Sequence, residues 1–147
     1  MSLVVNKKAR FEYEILETYE AGIKLTGPEV KSVRAGHMQL NGSYVVFTNN
    51  KPMLLNAHVS PYKPAAHYNV AVDRSRELLL RKEEIEKLQG KIALEKLTCV
   101  PLSVYLKNNF IKVEIGLARG KKLHDKRRTI KEREGNRAIA RVMRSKI

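Results

Sequence analysis

The feature that most restricts the fold of this chain is the composition of its last 30 residues. Residues 118–147 carry 12 basic and 3 acidic side chains and few apolar ones. Such a segment cannot offset its loss of conformational entropy by burying apolar surface, so we expect it to be disordered when free. The folded core must therefore come from residues 1–117, a length that suits one domain better than two.

Alternating apolar and polar residues mark the start of this domain. The alternation over residues 11–19 predicts a half-buried strand, with a turn at Gly22 and a second strand over residues 23–26. Pro28 at the first helical position and Gly36 just past the last turn then delimit a short helix. The sequence thus predicts two strands followed by a helix.

The spacing within this short helix assigns its two faces. Val30 and Val33 would point inwards. Lys31 and Arg34, three residues apart, would share the outward face, with Glu29 nearby. We therefore expect a charged helix surface beside the sheet.

Clusters of turn residues predict two hairpins in the rest of the domain. The first joins strands over residues 43–48 and 53–59, and the second joins strands over residues 98–106 and 110–118. Between them lies a helical pattern.

That pattern runs from Arg74 to about Leu97, is capped by Asp73 or Ser75, and is interrupted at Gly90. With two or three helices, the fold class is α+β and mainly β. We expect a small closed or partly open β-barrel of the kind that binds nucleic acid.

Reactive groups are sparse in the sequence. The four histidines show no metal-ligand spacing with one another or with the single cysteine, Cys99, which fits a strand core better than a nucleophile. His124 and Asp125 are neighbours and would not face each other on a helix. We expect no catalytic residues, no metal and no cofactor.

The net charge of +14 points to an anionic partner, nucleic acid first. The N-terminus lacks the charge order of a signal peptide, and no apolar run approaches the roughly 20 residues that span a bilayer. These features favour a cytoplasmic protein that binds no membrane.

Several motifs, at matching spacing, resemble one known family. They are Asn6-Lys7-Lys8-Ala9-Arg10, Gly27-Pro28-Glu29-Val30-Lys31-Ser32-Val33-Arg34-Ala35-Gly36, the Arg74 and Arg76 that precede Leu78-Leu79-Leu80, Lys112-Val113-Glu114-Ile115-Gly116, and Gly120-Lys121-Lys122-Leu123-His124-Asp125-Lys126-Arg127. From about Asn6 to the C-terminus the chain is similar to the bacterial SsrA-binding proteins, small protein B or SmpB.

The resemblance implies an RNA-binding adaptor with an oligonucleotide-binding-type barrel. Proteins of this family bind the tRNA-like domain of transfer-messenger RNA (tmRNA) and deliver it to stalled ribosomes in trans-translation. The implied partners are tmRNA, the ribosome with chiefly its small-subunit rRNA, and elongation factor Tu through tmRNA. The chain itself would act as a monomer.

The resemblance also implies two groups of site residues. The first would bind tmRNA: Glu29, Lys31, Arg34, Leu79 and Lys112. The second, on a tail that becomes helical on the ribosome, would enter the decoding centre and the mRNA channel: Gly120, Lys121, Lys122, His124, Asp125, Lys126, Arg127, Val142 and Met143.

Two alternatives from other classes remain open at this point. A ribosomal protein or general rRNA-binding protein would carry a similar basic tail. An RNA-modifying or RNA-cleaving enzyme would need His124 as a reactive group.

Overall fold

Short strands dominate the part of the chain that the computed structural model describes, residues 2–64 and 71–120. The fold is mainly β with three helices in this part, as predicted. The elements in chain order are β1 (Ser2–Val5), α1 (Lys7–Glu12), β2 (Tyr13–Ile23), α2 (Gly27–Arg34), β3 (Met38–Gln39), β4 (Tyr44–Thr48), β5 (Lys51–Leu55), β6 (His58–Val59), β7 (Arg76–Leu79), α3 (Lys82–Glu95), β8 (Thr98–Lys107) and β9 (Phe110–Gly120).

Seven of these strands form one antiparallel sheet in the order β1-β8-β4-β5-β7-β2-β9, and β8 also pairs with β9. This additional pairing closes the sheet into a partial ring. The shortest pairing in the ring is between β4 and β8, where only Val45 and Cys99 are paired. β3 and β6 form a separate two-stranded sheet. The expected closed or partly open barrel is thus a partly ring-closed sheet.

The core lies inside this ring. Val104 of β8 and Val113 and Ile115 of β9 are completely buried, as is Leu88 of α3, which holds that helix against the sheet. Cys99 belongs to the same cluster, and burial raises its pKa to about 12, so the thiol stays protonated. The prediction that Cys99 is a core residue is confirmed.

The two predicted hairpins are present, and asparagine pairs form their turns. Asn49 and Asn50 join β4 to β5 with φ of +52° and +64°, and Asn108 and Asn109 join β8 to β9 with φ of +51° and +66°. Two consecutive residues with positive φ suit a two-residue hairpin turn, and asparagine tolerates that conformation better than most residues do. The predicted strand over residues 53–59 is divided at Asn56, where φ is +63°.

The N-terminal strand prediction was wrong in its start and its end. Residues 7–12 form α1 because the Asn6 side-chain oxygen accepts the Ala9 N–H at 3.1 Å, while the Asn6 amide nitrogen donates to the Pro101 carbonyl at 2.9 Å. β2 then runs through Gly22, which pairs with strands on both sides. No turn occurs there, and the second strand expected over residues 23–26 is absent.

The helix prediction between residues 74 and 97 was also wrong at its start. Residues 76–79 are strand β7, and α3 begins only at Lys82. Gly90 does not interrupt α3, which continues through this exposed position to Glu95. None of the helices described is long and apolar enough to cross a membrane.

We expect α3 to depend on Leu88 for its attachment. Leu88→Ala should lower the free energy of unfolding by about 2–5 kcal/mol, because it leaves a cavity in the core. Leu94, on the same helix, is 84% exposed, so Leu94→Ala should change the free energy of unfolding by no more than about 0.5 kcal/mol. Urea unfolding followed by circular dichroism measures both. Equal losses in the two variants would contradict the orientation of α3.

Candidate nucleic-acid interface

A capping box fixes the start of α2. The Thr26 hydroxyl accepts the Glu29 N–H at 3.3 Å, and the Glu29 carboxylate accepts the Thr26 N–H at 2.9 Å. Pro28 lies in the first turn, and Gly36 follows the helix with φ of +81°. The predicted limits of this helix are confirmed.

The Glu29 side chain points into the protein and is 5% exposed. Its Oε1 and Oε2 accept hydrogen bonds from Arg74 Nη2 at 2.6 Å and Arg74 Nε at 3.0 Å. Oε2 also accepts from Arg76 Nε at 2.9 Å. Glu29, which was expected near the outward face of the helix, is instead buried, because two guanidinium groups hold its carboxylate inside.

Arg76 is completely buried, and each of its three side-chain nitrogen atoms has a partner. Nη1 donates to the carbonyl oxygens of Ala57 and Arg74, each at 3.0 Å. Nη2 donates to the Val72 carbonyl at 3.0 Å and lies 2.7 Å from Glu29 Oε2. A buried charge without such partners would be costly, so the pairing fixes α2, β7 and the segment before β7 relative to one another.

The charge of Glu29 is maintained by these contacts. Burial acts to raise the pKa of its carboxyl group, but the hydrogen bonds from Arg74, from the Thr26 N–H and from Arg76 outweigh it. The pKa of Glu29 is therefore held below its ordinary value, and the cluster stays ionised at neutral pH.

A row of directly paired residues crosses the outer face of the sheet beside this cluster. Gly22 of β2 pairs with Leu79 of β7 on one side and with Lys112 of β9 on the other. Lys112 in turn pairs with Tyr105 of β8. Directly opposed residues of an antiparallel pair point to the same face, so Leu79, Lys112 and Tyr105 lie in one line on the surface.

Because Gly22 has no side chain, the Leu79 side chain can lie over it. A Cβ built at Gly22 would lie 3.2 Å from Leu79 Cβ, closer than an ordinary contact. Leu79 leans over the glycine and is 48% exposed, while the Lys112 ammonium makes no hydrogen bond or ion pair with any residue in the described ranges. The row therefore presents an apolar side chain and an available positive charge together.

The outward face of α2 adjoins the same surface through Arg34. Its Nη2 donates to the carbonyl of Asn109, in the β8–β9 turn, at 3.0 Å. Lys31 is one helical turn away and is exposed. The expected outward orientation of Lys31 and Arg34 agrees with the structure, and four of the five residues expected to bind tmRNA have exposed or half-buried side chains in this region.

The predicted tail residues are described only in part. Gly120 is the last residue of β9 and is exposed. Lys121, Lys122, His124, Asp125, Lys126, Arg127, Val142 and Met143 lie outside the described residues. Gly120 therefore belongs to the sheet rather than to the tail in which the sequence placed it.

Two features of this surface were not predicted from the sequence. The partnership of Arg74 and Arg76 with Glu29 joins residues more than 40 positions apart. Phe110, at the end of the β8–β9 turn, is 68% exposed and was assigned only to a strand. A signal for it was available, since an aromatic residue directly after two asparagines lies at a hairpin tip.

Comparison with known proteins connects this surface to a family. A family model described as SmpB protein matches residues 3–145. The chain belongs to the SmpB family. The SsrA-binding protein of Gloeothece citriformis is 52% identical over 139 residues, which cover 94% of this chain and 90% of that protein. The SsrA-binding protein of Trichodesmium erythraeum is also 52% identical over 139 residues, covering 94% of this chain and 89% of that protein.

A solved structure supports the same SmpB assignment. It is described as "tmRNA-SmpB: a journey to the center of the bacterial ribosome", and one of its chains is 46% identical to this one, with a TM-score of 0.68. The match covers 92% of this chain and 95% of that one. The likeness thus extends over sequence and fold together.

We expect Glu29→Gln to destabilise the protein by about 3–5 kcal/mol at pH 7, because it leaves the buried Arg76 without its counter-charge. The pKa of Glu29 is lowered in the folded state, so the stabilisation is complete above about pH 4.5 and is lost as the pH falls through the folded value. The difference in unfolding free energy between wild type and variant should therefore shrink below pH 4.5.

The exposed Glu83 of α3 offers a matched control. Glu83→Gln should change the unfolding free energy by less than about 1 kcal/mol at either pH. A Glu29→Gln protein as stable as this control at pH 7 would show that the ion cluster contributes little.

Proposed function

We propose that this chain binds the tRNA-like domain of tmRNA and delivers it to stalled ribosomes during trans-translation, as a non-catalytic adaptor. The observation that carries this proposal is the 46% identity, over nearly the whole fold, with a chain of the tmRNA-SmpB structure. Ribosomal RNA and, through tmRNA, elongation factor Tu are its further partners, and the site of action is the cytoplasm.

The outer face of the sheet supports the RNA-binding part of this function. Lys112 supplies a positive charge that makes no ion pair with a described residue, although it acts electrostatically on Glu20, and Leu79 supplies an apolar contact two strands away. Lys31 and Arg34 extend the positive surface onto α2. Glu29 takes part indirectly, because its carboxylate positions Arg74 and α2 instead of meeting the RNA.

The basic tail supports the ribosomal part of the function. Residues 121–147 bring an excess of positive charge to a chain end that follows directly from β9. Ribosomal RNA would neutralise that charge, which removes the self-repulsion that opposes helix formation. We propose that Lys121, Lys122, His124, Asp125, Lys126 and Arg127 contact the decoding centre, and that Val142 and Met143 lie in the mRNA channel.

Lys112→Ala tests the sheet surface. We expect it to weaken binding to the tRNA-like domain by about 1–3 kcal/mol, or about 5- to 150-fold, because a charge-assisted contact is lost. Filter binding at about 200 mM salt measures this, where weak electrostatic binding is suppressed. Lys87→Ala, on the exposed surface of α3, is the control and should bind as wild type. Equal affinities for all three proteins would exclude Lys112 from the interface.

Truncation after Gly120 tests whether the folded domain and the tail have separate roles. The shortened chain keeps β9 intact, so it should bind the tRNA-like domain within about threefold of wild type at that salt concentration. Tagging of stalled ribosomes in a reconstituted translation reaction should be abolished. Loss of both activities would instead make the tail the RNA-binding site, as in a general rRNA-binding protein.

A further inference from the structure

Phe110 is the most exposed aromatic side chain of the described ranges. It is 68% exposed, and it lies at the first position of β9, directly after the Asn108-Asn109 turn. Exposing a whole aromatic ring to water gains nothing from packing. The side chain is thus available to a partner.

The structure holds this ring in a defined place. Lys107 pairs with Phe110 across a two-residue turn whose φ values are positive, so the tip has little freedom. Arg34 Nη2 donates to the Asn109 carbonyl at 3.0 Å and ties the tip to α2. Because the tip is ordered in advance, a contact made by Phe110 costs little conformational entropy.

Three cationic side chains lie at neighbouring positions of the sheet and the turn. Phe110 and Lys112 are two positions apart on β9 and therefore share the outer face of the sheet. The Arg34 guanidinium is exposed next to the turn, and Lys107 lies opposite, 3.3 Å from the Glu20 carboxylate. An aromatic face among cations is the arrangement with which proteins bind unpaired nucleotides, stacking on the base while the cations meet phosphates.

We propose that Phe110 stacks on an unpaired base of the RNA bound to this face, next to the Lys112 contact. The inference rests on the proposed function, since it concerns the same RNA. It adds a residue that determines how tightly that RNA is held. The charge around the ring favours RNA over an apolar protein surface as the partner.

Substitutions at Phe110 separate stacking from simple apolar contact. Phe110→Ala should weaken binding to the tRNA-like domain about 5- to 150-fold, the range expected for loss of one stacked base. Phe110→Tyr should stay within about twofold of wild type because the ring is kept, whereas Phe110→Leu should lose most of the affinity. Thermal unfolding of each variant shows whether the hairpin remains folded.

A tryptophan probe gives an independent readout, because the chain contains no tryptophan. The emission of Phe110→Trp should be quenched when the tRNA-like domain is added, since an indole ring stacked on a base loses fluorescence. Leu94→Trp is the control: residue 94 is exposed on α3, whose C-terminal end contacts Arg119 at the opposite end of β9. Its emission should not change.

The outcomes distinguish failure of the inference from failure of the proposed function. If Phe110→Ala or Phe110→Leu binds as wild type, or if the Phe110→Trp signal does not change while Lys112→Ala loses affinity, stacking is wrong and the RNA interface stands. If wild type binds the tRNA-like domain no better than an ordinary tRNA, the proposed function itself fails.

Discussion

The buried carboxylate of Glu29 holds together the elements that carry the candidate interface. It joins α2 to Arg76 of β7, and β7 pairs with both β5 and β2, so the orientation of the helix is tied to the sheet. Arg34 on the same helix then reaches the β8–β9 turn. A buried ion pair adds little stability compared with apolar residues, but breaking it is costly. Its contribution here is geometric, because it determines which side chains reach the surface.

Local sequence signals were sufficient to predict α2 and the two hairpins. The limits of α2 follow from Thr26, Pro28 and Gly36, and both hairpins follow from asparagine pairs that accept positive φ. These features depend on residues within a few positions of one another. The sequence therefore predicted them, together with the burial of Cys99.

Distant partners explain the elements that were predicted wrongly. Residues 76–79 have helix-forming side chains, but Arg76 finds its carboxylate 47 positions earlier in the chain, and the strand conformation delivers it there. The Asn6 side chain bonds to a carbonyl 95 positions away and begins a helix that includes the first two residues of the predicted strand. The meeting of Leu79 with Lys112 across Gly22 is likewise a product of strand order, which spacing alone does not reveal.

β9 fixes the distance between the β8–β9 turn and the start of the basic tail. Phe110 begins the strand and Gly120 ends it, so the ten steps between them extend over roughly 33 Å at about 3.3 Å per residue. Continuous pairing with β8 and β2 stiffens this span. Gly120, which precedes the basic tail in the chain, is thus held at a set distance from the tip at which we propose that RNA is bound. The length of the strand therefore sets the distance between the proposed contacts of Phe110 and of the tail. Lengthening β9 by two residues would move these contacts apart without altering the residues that make them.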